Sequence, residues 1–169
     1  MRASLEDNLY DNCNKTQKVM VDGDFVTYCK HFKYLGSWLS YNLCDDHDID
    51  KRIASASKAM GALKSFFGLK QVNLYSKYLI FLAIPINLLL WGWESWALRK
   101  DLLRKLERFM MRNIRKIIGT NMFHVEKHKI TVKQMRARFN NIYSVQTMID
   151  VRSMQFLGKL VRGATKLPL

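Results

Sequence analysis

From Arg99 to Ile118 the chain carries a pattern that one conformation satisfies. At about 100° per residue, Leu102, Leu103, Leu106, Phe109, Met110, Ile114, Ile117 and Ile118 fill one half of a helical wheel. Arg104, Lys105, Arg108, Arg112, Arg115 and Lys116 fall in a sector about 120° wide on the other side. Such a helix is not stable by itself. Its apolar half must be covered by other elements, and its cationic face must stay in water or meet an anion. Gly119 follows the last apolar residue, where a left-handed C-cap is expected. The pattern therefore asks for a helical bundle with one charged face.

The rest of the composition fits that demand. The chain has 169 residues, enough for one domain with a real core or for a small β part fused to a bundle. With 2 prolines, 8 glycines and 49% hydrophobic residues, it is folded and helix-rich rather than a basic tail. The formal charge is +14, and it is unevenly placed. Residues 1–98 hold 11 Lys and Arg against 10 Asp and Glu, whereas residues 99–169 hold 17 against 4, a net +13. A block of that sign attracts polyanions, nucleic acid before anionic membrane.

Three cysteines, Cys13, Cys29 and Cys44, contain no C-x-x-C pair, so a disulfide framework is not expected and a reducing compartment is. The first residues lack a signal-peptide core, which points to an intracellular protein of nucleus or cytoplasm rather than a secreted one. The apolar region from Tyr78 to Leu98 is interrupted by Pro85, Asn87 and Glu94. Its unbroken run, Leu79–Ile86, is far short of the roughly 20 residues that span a bilayer, so a core helix bent near Pro85 is expected instead.

The fold class read from these patterns is α+β, mostly α. Val19-Met20-Val21, Asp22-Gly23 and Phe25-Val26-Thr27-Tyr28 spell a hairpin with a type I′ turn, and Tyr34–Leu39 is a candidate third strand with Gly36 at a bulge or a close backbone approach. Ile49, Ile53, Ala56, Met60, Leu63 and Phe67 then recur at helical spacing behind Asp46 and Asp48, and Gly68 closes that helix. A second helix is expected from Asn73 toward Trp91-Gly92. Two more follow the cationic one: Thr131-x-x-Gln134 has capping-box spacing, and Ser144 precedes a run with Val145, Met148, Ile149, Phe156, Leu157 and Leu160. The expected organisation is an unassigned 1–11, a β element at 12–40, a helical bundle at 41–119 and basic C-terminal helices at 120–169.

Several segments in this order carry a resemblance. They are Phe32-Lys33-Tyr34-Leu35-Gly36-Ser37, the Ile49–Ala56 helix, Leu90-Trp91-Gly92-Trp93-Glu94-Ser95-Trp96, Lys105-Leu106-Glu107-Arg108-Phe109, Ile114–Gly119 and Arg152–Arg162. Together they resemble the primer grip, thumb and closing segment of reverse transcriptases from LINE-type (non-LTR) retrotransposons, over roughly residues 12–163. The resemblance implies that Phe32, Lys33, Tyr34, Leu35 and Gly36 stand where the grip places a primer end, and that the thumb-like helices hold a primer–template duplex. Asn12-Cys13-Asn14-Lys15-Thr16 is similar to the family's N-x-x-K-T segment, which would set Lys15 near the incoming nucleotide. In this chain we read Lys15 as a solvated lysine, because the chemistry it would assist belongs elsewhere. The family's metal-binding carboxylates, from an earlier strand and a Y-x-D-D turn, should precede Asn12, and eleven residues precede it here. No catalytic residue and no cofactor is assigned; Mg2+ would serve only the complete polymerase.

Other candidate sites read as structural. In Cys44-Asp45-Asp46, Tyr41 stands four residues before Asp45 instead of two, and the acids suit a helix N-terminus. Cys29-x-His31 with Cys44-x-x-His47 has no familiar zinc spacing, and His124-x-x-x-His128 lacks the glutamate of a zincin helix. Trp38 and Tyr34 are expected to pack in the core rather than to stack on bases. The expected function is that of a truncated reverse transcriptase fragment, not an enzyme on its own. It would bind RNA or DNA duplexes or other polyanions without sequence preference, through Arg104, Lys105, Arg108, Arg112, Arg115 and Lys116. Two alternatives come from other classes: a membrane-associated basic helical protein, and an interaction module that self-associates through exposed apolar surface.

Overall fold

In the computed structural model, residues 19–21, 24–26, 29–93, 96 and 98–164 are described. Lys15 and the Asn12–Thr16 segment lie outside them. Among the described residues the architecture is α+β and mostly α. The chain divides into two compact units, Met1–Asp48 and Ile49–Leu169.

The first unit contains two antiparallel hairpins. In one, β1 (Val19–Val21) pairs with β2 (Asp24–Val26), Val21 opposite Asp24, while the expected Asp22-Gly23 turn and Thr27-Tyr28 lie outside the described residues. The expected third strand is instead a second hairpin. β3 (His31–Tyr34) and β4 (Ser37–Ser40) form their own sheet, with Tyr34 opposite Ser37. Gly36 is not a bulge but the second residue of a two-residue turn, with φ of 46° at Leu35 and 89° at Gly36. Both values are positive, as a type I′ turn requires, and only the glycine adopts its value without a Cβ penalty.

The second unit is a helical bundle. Helix α1 runs Asp46–Ala62 with Asp46 and Asp48 in its first turn, where their charge suits the helix dipole. The helix expected to reach Gly68 is interrupted at Leu63, just after Gly61, and resumes as α2, Lys64–Gly68. Ile49, Ala56 and Phe67 are buried, with Ile53, Met60 and Leu63 packed against the core, as their spacing requires. Asn73 caps α3 (Leu74–Phe81) by accepting the Ser76 N–H at 2.7 Å. At Pro85 the chain does not break. It passes through a π-helical turn, Leu82–Ile86, into α4, Asn87–Leu89. The wider turn takes up a ring that lacks an N–H and would press on the carbonyl four residues back. Among the described residues no helix is long and apolar enough to cross a membrane. Phe81, Pro85, Ile86, Leu89 and Leu90 are buried in the bundle.

Helix α5 occupies Lys100–Ile118 and ends as expected. Gly119 has φ 77°, its N–H reaches the Lys116 carbonyl at 3.2 Å, and the Thr120 N–H reaches the Arg115 carbonyl at 2.9 Å. Three helices follow rather than two. Helix α6, Met122–Lys127, is capped by Asn121, whose side chain accepts the His124 N–H at 2.8 Å. Helix α7, Val132–Arg138, carries the Thr131–Gln134 capping box, and Ser144 Oγ accepts the Thr147 N–H ahead of α8, Val145–Ala164. Helix α5 packs against α7 and α8. Met135, Phe139, Ile142, Val145, Met148 and Ile149 therefore share one core with Leu106, Met110 and Ile114. Phe139 anchors this junction by meeting the rings of Tyr78 and Phe81 edge-on at 5.7 and 5.6 Å.

Candidate nucleic-acid interface

The cationic side of α5 becomes a groove once α7 packs beside it. Its volume is about 510 Å³, and Arg104, Arg108, Arg112 and Arg115 line it together with Arg136 from α7. Met111 supplies a buried apolar floor, and the exposed Val132 an apolar edge. Arg104, Arg108 and Arg112 are exposed and Arg115 half-buried, so the groove's charge is open to water. Planar guanidinium groups offer paired donors that match phosphate oxygens, which makes this array better suited to a phosphate chain than an equal number of lysines.

One acid lies in the groove, and it is already engaged. Glu107 forms an ion pair with Arg136, and its other oxygen accepts the Val145 N–H at 2.9 Å. That amide is one of the orphan donors at the start of α8, so a single carboxylate joins α5, α7 and α8. The pair sits half-buried, which makes it a positioning element for Arg136 and leaves the groove's outward charge positive. Neither Arg136 nor Glu107 was among the expected site residues. The only sequence signal for Glu107 is an acid inside the apolar half of the wheel, between Ile114 and Ile118.

The remaining expected contacts go elsewhere. Lys105 pairs with Asp50 of α1 rather than lining the groove. Lys116 lines two other concavities, one against α1 and α2 and one beside Thr120 and His124. At the start of α5 the Arg99 guanidinium binds Asp101 at 3.2 and 3.1 Å, and this hydrogen bonding holds the Asp101 carboxyl below its ordinary range.

The β3–β4 hairpin holds the residues that resemble a primer grip. Phe32 and Tyr34 lie on one face, with Leu39 opposite Phe32, and all three are more than half exposed, as is Leu35 at the turn. Tyr34 therefore departs from the core packing expected of it: its face of the two-stranded sheet is uncovered within the described part of its unit. The other face is built differently. His31 bonds Ser40 at 3.1 Å and stacks on His47 with ring centres 3.7 Å apart, Trp38 meets His47 edge-on, and Asp48 accepts the Trp38 N–H at 3.0 Å. Lys33 is exposed and pairs across the strands with Trp38.

The acids that follow the hairpin do not fit a two-metal centre. Asp48 is buried beneath the Trp38 amide and Asp50 is taken by Lys105. Among the described residues no three of His, Cys, Asp and Glu converge on a common point. His31 and His47 come together as a stack, while Cys29 is exposed and Cys44 half-buried, both as free thiols. His124 and His128 do share a side of α6, rings 4.3 Å apart, and both are exposed. Compared with protein families, with curated proteins and with solved structures, the chain finds no match.

Proposed function

We propose that this chain holds nucleic acid: the α5–α7 groove grips the phosphate backbone of a duplex without reading its sequence. The observation that carries the proposal is the five-arginine groove, whose one acid is committed to Arg136 and the α8 terminus. The resemblance to the thumb of LINE-type reverse transcriptases gives the reading a context, with the duplex being a primer–template and the exposed Phe32–Gly36 hairpin standing in the grip's position in the sequence. These residues take no chemical step in this scheme. They position a substrate on which a polymerase palm would act.

Backbone gripping has a quantitative signature. Each phosphate neutralised contributes about 0.9 to the slope of log affinity against log salt on B-form DNA, so four to five contacts give a slope of about −4. The test is fluorescence anisotropy with a labelled duplex from low to moderate salt, using several unrelated sequences. Affinities should agree among sequences and fall steeply with salt. The double change Arg108→Gln and Arg112→Gln, both at exposed positions, should make the slope shallower by about two. A salt-insensitive affinity, or an unchanged slope in the variant, would remove the groove from consideration.

A further inference from the structure

Arg112 lines a second concavity as well. On the neighbouring flank of α5, a cleft of about 630 Å³ opens toward α1 and α2. Its size falls in the range of small-molecule sites, and its lining is of two kinds. Met60, Phe67 and Ile117 form an apolar floor, while Lys64, Arg112 and Lys116 stand exposed around it. No acid lines the cleft, and these three cations have no ion pair among the described residues.

Two further features mark it as built to receive something. Gly61 and Gly68 both face it from helical positions, and a Cβ on either would meet nothing within 4 Å. The absent side chains keep the cleft open at positions where almost any other residue would make a better helix. Asn113 lines it from the third side and is only 4% exposed. Its Nδ2 donates to the Phe109 carbonyl at 2.9 Å, which fixes the amide beside the cleft.

An apolar slot with an aromatic wall, a carbonyl acceptor and a positive rim is complementary to a nucleoside phosphate. The ring lies against Phe67 and Met60, an exocyclic amine or ring N–H reaches Asn113, and the phosphate meets Lys64, Arg112 and Lys116. In a duplex the base faces are already stacked, so only an unpaired nucleotide can enter. Because Arg112 belongs to both the cleft and the groove, we propose that the cleft receives the unpaired terminal nucleotide of a strand whose duplex part lies in the groove. This rests on the groove reading given above, and extends it from a grip on backbone to recognition of an end.

The test compares a blunt duplex, the same duplex with a two-adenine overhang, and AMP as the free nucleotide, each by fluorescence anisotropy or competition with the intact chain. The overhang should tighten binding about tenfold, in keeping with the stacking of one base. Gly61→Leu, whose Cβ would meet nothing within 4 Å and whose branched end occupies the cleft, should abolish that gain and leave blunt-duplex affinity unchanged. Lys64→Gln, at an exposed position, should reduce the gain severalfold with no effect on folding. Equal affinity for blunt and overhanging duplexes would overturn the cleft assignment while the groove reading stands. A tenfold gain that survives Gly61→Leu would overturn it too. Gly61-sensitive binding of AMP without any overhang effect would assign the cleft to free nucleotides and sink the strand-end proposal. Failure to bind any duplex would remove the groove reading, and this inference with it.

Discussion

Helices α5 and α8 are nearly equal in length, 19 and 20 residues, and both alternate apolar and cationic positions. In α5 the burial runs from end to end, from Leu102 through Leu106, Met110 and Ile114 to Ile117. In α8 it stops after Ile149: Val151, Met154, Phe156, Leu157, Leu160 and Val161 are all exposed, Met154 at 71%. The same kind of pattern thus yields a complete core face in one helix and half of one in the other. Periodicity specifies that a face exists, whereas what covers it depends on which elements reach it, and α7, the first turns of α8 and the earlier helices share one core with α5.

The sharpest way to break the comparison is to remove mass from the covered face. Leu106 has no exposed surface and sits among Met110, Met135, Val145 and the rest of the shared core. Leu106→Ala should lower unfolding free energy by about 3 kcal/mol, because both transfer energy and a cavity term are lost. Urea denaturation followed by circular dichroism reads it directly. A loss below about 1 kcal/mol would mean that α5 is no better packed than the outer half of α8.

Glu107 tests whether α5 also fixes its neighbours through polar contacts. Glu107→Ala leaves the Val145 N–H without its acceptor and Arg136 without its partner, and should cost about 2 kcal/mol. Glu107→Gln keeps an acceptor for the amide and should recover part of that loss. The two variants share a second readout, since either one removes the groove's carboxylate and should raise duplex affinity at low salt.

Much of α5 was legible in the sequence because its signals are local. Arg99, Gly119 and the apolar half-wheel all lie within one helix length, and the same holds for the Asn73, Thr131 and Ser144 caps. What escaped depends on distant partners or on unfavourable geometry. Arg136 joins the groove through an acid 29 residues away, and Lys105 leaves it for an acid on α1. Neither pairing has a period. The β3–β4 turn was missed because Leu35 is a poor residue for φ 46°, so Leu-Gly does not read as a type I′ turn as Asp-Gly does. The π turn at Pro85 was expected only as a bend. A proline states that the regular ladder fails, without stating how the neighbouring turns absorb it. Helix α6 has a sound cap in Asn121, but six residues are too few to show a helical repeat.

A smaller effect separates the two ends of α5. Asp101 is held below its ordinary value of 3.8 by Arg99, so its ionised form is favoured by folding. The resulting stability is fully present above the unfolded value and is lost as pH falls through the lowered one. Asp101→Asn should therefore melt below the parent chain at neutral pH, and the gap should close as the solution is taken below pH 3.8. The difference should be slighter than for Glu107, since the Arg99–Asp101 pair is exposed on both sides.

The smallest expected effect bears most directly on the contrast. Leu157 is 54% exposed, so Leu157→Ala should change unfolding free energy by less than about 0.5 kcal/mol, several times less than Leu106→Ala. That holds for a single chain. Met154, Leu157 and Val161 are spaced to form a stripe along α8, and a stripe of that kind left in water favours association. Measuring the melt of Leu157→Ala at two protein concentrations decides between the cases. If the destabilisation is negligible when dilute but grows with concentration, while light scattering shows the parent chain assembling, then a second copy covers in solution what α7 and α8 cover on α5. If it is negligible at both, the outer half of α8 remains an open face, and the two helices differ because only one of them has a partner within its own chain.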